Sequence, residues 1–159
     1  MPEFKAVDSQ ENAASFTKPR IRLLVVDDES HLEILLAQKF RQKIKAGEYQ
    51  FFFAQNGNEA LSCMSQNPGI DLVITDINMP EMDGITLLRR LQNKYEKTKT
   101  MVMSAYSDEK SRHHAQQAGA IKFITKPISL KELEDTIEAT IEIFENIDPS
   151  VTESLHKAT

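Results

Sequence analysis

The segment Ile21-Arg22-Leu23-Leu24-Val25-Val26-Asp27-Asp28 decides the reading of this chain: a run of mostly branched apolar residues stops abruptly on two carboxylates. A short apolar run without alternation is what a strand buried on both faces shows, and such strands belong to parallel sheets. Four further runs rich in β-branched or aromatic residues follow, at 50–54, 72–75, 100–104 and 120–124. Between them the apolar residues recur with a period near 3.6. The first such segment holds Leu32, Leu35, Leu36 and Phe40, a later one Leu87, Leu88, Leu91 and Tyr95, and the last Leu133, Ile137, Ile141 and Phe144.

Helix starts are marked by Ser30-His31-Leu32-Glu33 and Ser129-Leu130-Lys131-Glu132, both fitting a capping box in which Ser and Glu satisfy the free N–H groups of the first turn. Gly47 and Gly119 mark helix stops. Five strands alternating with five helices require right-handed crossovers. The expectation is an α/β, three-layer doubly wound (βα)5 fold of flavodoxin-like type. Its parallel five-stranded sheet would run in the order 2-1-3-4-5.

The chain has 159 residues, 40% apolar and 27% charged, with a formal net charge of −5. That length suits one domain of about 100–150 residues plus tails. Residues 1–19 read as a flexible lead-in, 20–147 as the domain and 148–159 as a polar tail or linker. The tail is too short for a helix-turn-helix; a last helix apolar on two sides with a linker-like tail favours a piece cut from a longer chain over a free-standing domain. No apolar run exceeds four residues, whereas a membrane span needs about 20. A single cysteine, Cys63, forms no internal disulfide and suits the cytoplasm. The acidic balance argues against direct nucleic-acid binding, which needs a basic face.

In a doubly wound sheet, ligands sit at the carboxyl ends of the strands, near the point where strand order reverses. Four of the expected strands end there on a chemically pointed residue: Asp27-Asp28, Asp76, Ser104 and Lys126. One acidic strand end is ordinary. Three carboxylates in one crevice are not, since two unit charges 4 Å apart repel by about 4 kcal/mol at an effective dielectric of 20. Lys126 offsets one charge, and the remainder asks for a hard divalent cation such as Mg2+. A carboxylate beside such a cation, a hydroxyl and an ammonium is the equipment for phosphoryl transfer onto the carboxylate.

These residues, in this order, resemble the receiver domains (CheY-like) of two-component response regulators. The resemblance covers about residues 21–146. It rests on Asp27-Asp28, on Asp76 followed by Met79-Pro80 and Asp83-Gly84, on Ser104-Ala105 and on Lys126-Pro127. It implies that Asp76 is phosphorylated by a histidine kinase or phosphotransfer protein. It implies that Asp28 holds Mg2+ (or Mn2+) directly, Asp27 directly or through water, Asp76 by its carboxylate and Asn78 by its backbone carbonyl. Lys126 would pair with the phosphoryl group and be joined to Pro127 by a cis bond. Ser104 and Phe123 would be the moving switch residues, and Asn78 and Tyr106 would tune the approach of water. The tyrosine ring is expected to make dephosphorylation slow.

The expected output face is the fourth helix, 108–118, with the fifth strand and fifth helix. It would serve an effector, an output domain or a homodimer. The fourth helix buries little besides Ala115 and Ala118. On the fifth, a second apolar row of Ala139, Ile143 and Ile147 suggests a partner. A haloacid-dehalogenase-like phosphatase is the alternative. It would need a second acid two residues after the nucleophile, where this chain has Asn78, which cannot protonate a leaving group. The chain is therefore expected to be a switch and not a turnover enzyme.

Overall fold

The computed structural model describes residues 21–146, with side chains to residue 143. The expected tails and Ile147 lie outside the described residues. Five parallel strands, β1 (Ile21–Val26), β2 (Tyr49–Ala54), β3 (Leu72–Asp76), β4 (Lys99–Ser104) and β5 (Lys122–Thr125), run in the order β2-β1-β3-β4-β5. The helices between them are α1 (His31–Lys39), α2 (Arg41–Lys45), α3 (Gly57–Gln66), α4 (Gly84–Lys94) and α5 (Glu109–Gln117). The expected fold class and strand order are those observed.

Alternate residues of the central strands feed opposite layers. Leu24, Val26, Phe52, Ala54 and Val73 meet Ala60, Cys63 and Met64 of α3 and Leu87 and Leu91 of α4. On the other face Phe51 lies 5.0 Å, ring centre to ring centre, from Phe40 at the junction of α1 and α2. Every residue of β3 is buried, so its apolar run has no alternation because it has no solvent face.

The first helical segment departs from expectation. It breaks at Phe40 (φ −95°, ψ 9°) and continues as the short α2, so the sheet unit has five helices where four were expected. Leu36, Phe40 and Ile44, spaced by four, go inward, while Leu35 is 41% exposed and Ile34 61%. Burying a large apolar side chain is worth about 1.5–3 kcal/mol, so the stripe that includes Phe40 sets the rotation of the segment. Ser30 does not cap α1. Its backbone is already helical (φ −66°, ψ −20°), and its side chain makes no cap hydrogen bond. The preceding loop is tied by Asp27 instead, whose Oδ1 accepts the Glu29 N–H at 2.9 Å.

Both glycine stops hold. At Gly119 (φ 94°) the Gly119 N–H bonds the Gln116 carbonyl and the Ala120 N–H bonds the Ala115 carbonyl, the paired closure that a left-handed residue permits. Closing α5 uses the Ala120 N–H, and β5 begins at Lys122, two residues later than expected.

Among the described residues, 128–146 form a second compact unit. It holds α6 (Leu130–Asn146). Here the capping box is real: Glu132 N–H donates to Ser129 Oγ at 3.1 Å, and Ser129 N–H donates to Glu132 Oε2 at 3.3 Å. Leu133, Ile137 and Ile141 are buried; Ala139 and Ile143, of the second row, are exposed. The Phe144 side chain lies outside the described part.

The exit of β3 is fixed by the start of α4. Asp83 caps that helix, accepting the Thr86 N–H at 2.8 Å, and the Gly84 N–H donates to the Ile77 carbonyl at 2.8 Å. A Cβ on Gly84 would collide with the Asp76 carbonyl oxygen and come within 2.9 Å of the Ile77 Cα. Both are backbone atoms that cannot rotate away. Gly84→Ala is expected to lower stability by about 1–3 kcal/mol, the usual cost of overpacking, measured by urea unfolding. An unchanged midpoint would show that the approach of helix to strand is loose.

Candidate functional site

The parallel register carries the chemistry to one edge. β1 and β3 are neighbours, with Val26 opposite Thr75, so the residues that follow, Asp27 and Asp76, stand side by side. β4 adds Ser104 next to β3, and β5, paired with β4 through Ser104 and Thr125, delivers Lys126. Asp27, Asp28 and Asp76 each offer a carboxylate oxygen, and these oxygens all lie within 4.8 Å of one another.

Lys126 ties the edge together. Its Nζ donates to Asp76 Oδ2 at 2.9 Å and to Asp27 Oδ2 at 3.0 Å, while its N–H bonds the Ser104 carbonyl at 2.8 Å. Burial, the largest influence, pulls the ammonium's pKa down. The hydrogen bonds and charges of Asp76 and Asp27 together outweigh it, so the pKa ends above the ordinary lysine value. The Lys126-Pro127 bond is cis, as the resemblance implied.

The remaining valences are placed in order. Asp76 Oδ1 accepts the Asn78 N–H at 3.2 Å, and Ser104 Oγ accepts the Tyr106 N–H at 3.0 Å. As an acceptor there, the Ser104 hydroxyl keeps its own proton to donate. Asp27 and Asp76 are buried, and Asp28 and Asn78 are exposed. Three carboxylates against one ammonium leave two net negative charges (3 − 1 = 2). Buried oxygens beside an exposed one fit a divalent cation that keeps some of its water, as Mg2+ does.

Every expected site residue on this edge is thus brought together. Phe123 is half-buried on β5, and Tyr106 is 65% exposed in the loop after β4. One neighbour, Arg112, escaped the sequence reading. Arg112 of α5 lies over the Phe123 ring, and its Nη2 donates to Thr125 Oγ1 at 3.1 Å. A polar helix face gives no signal for a bond to a strand thirteen residues on.

Comparison with known proteins agrees with this geometry. Residues 23–138 match the family model described as the response regulator receiver domain. The chain is 30% identical over 125 residues to the sporulation initiation phosphotransferase F of Bacillus subtilis, covering 79% of this chain and 97% of that protein. It is 32% identical over 142 residues to the transcriptional regulatory protein ZraR of Escherichia coli, covering 87% of this chain but 31% of that protein. Among solved structures, the response regulator protein TrrA of Thermotoga maritima in complex with Mg2+ and BeF aligns with a TM-score of 0.63 and 29% identity. That alignment covers 75% of this chain and 97% of that one. Strand order, the acidic edge with its bridging lysine and this match over most of the sequence lead to one conclusion: the chain belongs to the response regulator receiver family of two-component systems.

Proposed function

We propose that this protein is a phosphorylation-dependent switch in which Asp76 accepts a phosphoryl group from the phosphohistidine of a histidine kinase or phosphotransfer protein. The observation that carries the reading is the Lys126 ammonium held between Asp76 and Asp27, with Ser104 at the adjacent strand end. An Asp76 oxygen attacks phosphorus, the bond to the imidazole nitrogen breaks, and the imidazole leaves with that electron pair. Lys126 is placed to follow the negative oxygens of the transferred group, and Ser104 has a proton to donate to one of them. Asp27, Asp28, the Asp76 carboxylate and the Asn78 carbonyl would hold Mg2+, with Mn2+ as a substitute. When bound, the cation neutralises charge on the phosphoryl oxygens.

Such a protein accelerates its own phosphorylation and dephosphorylation and has no separate substrate to turn over. The altered surface would involve α5 and β5, acting on an effector, an output domain or a second copy; the exposed Ala139 and Ile143 of α6 offer apolar contacts. We place the protein in the cytoplasm, a reading supported by a buried free thiol, Cys63, whose pKa burial pushes up to about 11. No described helix is long and apolar enough to cross a membrane.

Three outcomes test this. With Mg2+ and acetyl phosphate, intact mass should rise by one phosphoryl group, and Asp76→Asn should show no gain. Release of free phosphate at high turnover with no adduct would point to a phosphatase instead. Mg2+ at about 100 times its dissociation constant should stabilise the folded chain by about 2.7 kcal/mol, seen as a higher melting temperature, and Asp28→Ala should abolish most of that shift. Tyr106→Ala should shorten the phosphoryl lifetime severalfold, by opening the approach of water; an unchanged decay rate would show that the ring screens nothing.

A further inference from the structure

Arg112 joins three places that the phosphorylation chemistry uses separately. Its guanidinium carbon lies 4.7 Å from the centre of the Phe123 ring. Nη2 donates to Thr125 Oγ1 at 3.1 Å, one residue before Lys126, and Nε donates to the Ser107 carbonyl at 3.4 Å, in the loop that follows Ser104. Phe123 otherwise packs beside the cluster of Leu88, Val102, Ala115 and Ala118. Within α5 itself, Ala115 is the buried residue. The helix is thus thinly held by apolar contacts, and Arg112 adds a polar tie at its first turns. A guanidinium can stack on a ring and donate from two edges at once, which an ammonium cannot.

We propose that Arg112 is a positioning residue that latches α5 and the loop after Ser104 onto β5 in the unphosphorylated protein. The proposal rests on the reading of Asp76 as phosphoacceptor and of Ser104 and Phe123 as the residues that move. Movement of Ser104 toward Asp76 pulls the loop that contains Ser107. Rotation of Phe123 takes the ring from beneath the guanidinium. Arg112 therefore makes contacts that the resting arrangement has and the phosphorylated one loses. A group bound to only one of two states biases their equilibrium by that difference. A phosphoryl mimic should bind more weakly by the fraction of molecules held in the latched state.

The test is calorimetric titration of the Mg2+-loaded protein with beryllofluoride, a phosphoryl mimic. It compares wild type, Arg112→Ala, Arg112→Lys, Phe123→Leu and the Arg112→Ala/Phe123→Leu double variant. Arg112→Ala should bind the mimic about five- to tenfold tighter, the scale of a partly desolvated cation–π contact with an added hydrogen bond. Its affinity for Mg2+ alone should stay as in wild type, since Arg112 touches no carboxylate of the edge. Arg112→Lys should fall between the two and carries the test if the alanine variant does not fold. In the Phe123→Leu background most of the gain from Arg112→Ala should vanish, a non-additivity that a merely structural arginine would not produce. Equal beryllofluoride affinity in wild type and the folded Arg112 variants would overturn the latch, as would a gain fully kept in the Phe123→Leu background. A wild-type protein that neither binds the mimic nor takes up phosphoryl from acetyl phosphate would overturn the phosphoacceptor reading, and the latch with it.

Discussion

The Lys126 ammonium, 2.9 Å from Asp76 and 3.0 Å from Asp27, is the contact on which the carboxyl edge of the sheet depends. Two carboxylates side by side at neighbouring strand ends would repel by several kcal/mol without it, at an effective dielectric of about 20. The lysine comes from the far edge strand, so its reach across β4 and β3 to β1 requires all four strands in register. Breaking such a bridge by removing one partner leaves charge uncompensated at a mostly buried place, which costs more than the bridge itself is worth. The sheet order and the charge pattern therefore constrain each other. In the order observed, the lysine that follows β5 reaches the acids that follow β1 and β3 at one end of the sheet.

Much of this edge could be read from sequence because of how a parallel sheet uses its strands. β1 and β3 are buried on both faces over most of their length, so they appear as nearly continuous apolar runs, and the carboxylates that close them mark the rim. Asp27 and Ser104 follow their runs directly and were legible for that reason, whereas Asp76 and Lys126 stand one residue further on, after Thr75 and Thr125, and were marked by the motifs around them. The roles of Asp83 and Gly84 were less so. The sequence marks them only as part of a motif, whereas the structure gives each a physical task. Asp83 supplies the cap of α4, and Gly84 allows that helix to approach the Asp76 carbonyl closely. Together they fix where the β3 backbone ends, and so where the Asp76 carboxylate begins.

What escaped reading depended on contacts with no local signature. The Ser30 and Ser129 tetrapeptides look alike, yet only the second forms a capping box. At Ser30 the loop is already bound by Asp27 through the Glu29 N–H, and the backbone enters the helix one residue early. In α1 the apolar residues Ile34, Leu35 and Leu36 are consecutive, so a period could be drawn through Leu35 or through Leu36 alone. The aromatic cluster of Phe40 with Tyr49 and Phe51 settles it, and those partners lie on another element.

Arg112 is the extreme case of the same limit, and it changes the reading of α5. By composition that helix is polar nearly all round, which in isolation means a solvated surface helix with little to hold it. A helix anchored by a small apolar stripe, of which Ala115 and Ala118 are the buried members, has little buried area to lose when it shifts. A bond from Arg112 to β5 and to the Ser107 carbonyl replaces part of that missing area with a few directional contacts. Directional contacts break over a short displacement, whereas packed apolar area is given up gradually. An element with little buried area, held by a few such contacts, shifts at low cost in free energy, which is the property that a response to one added phosphoryl group demands.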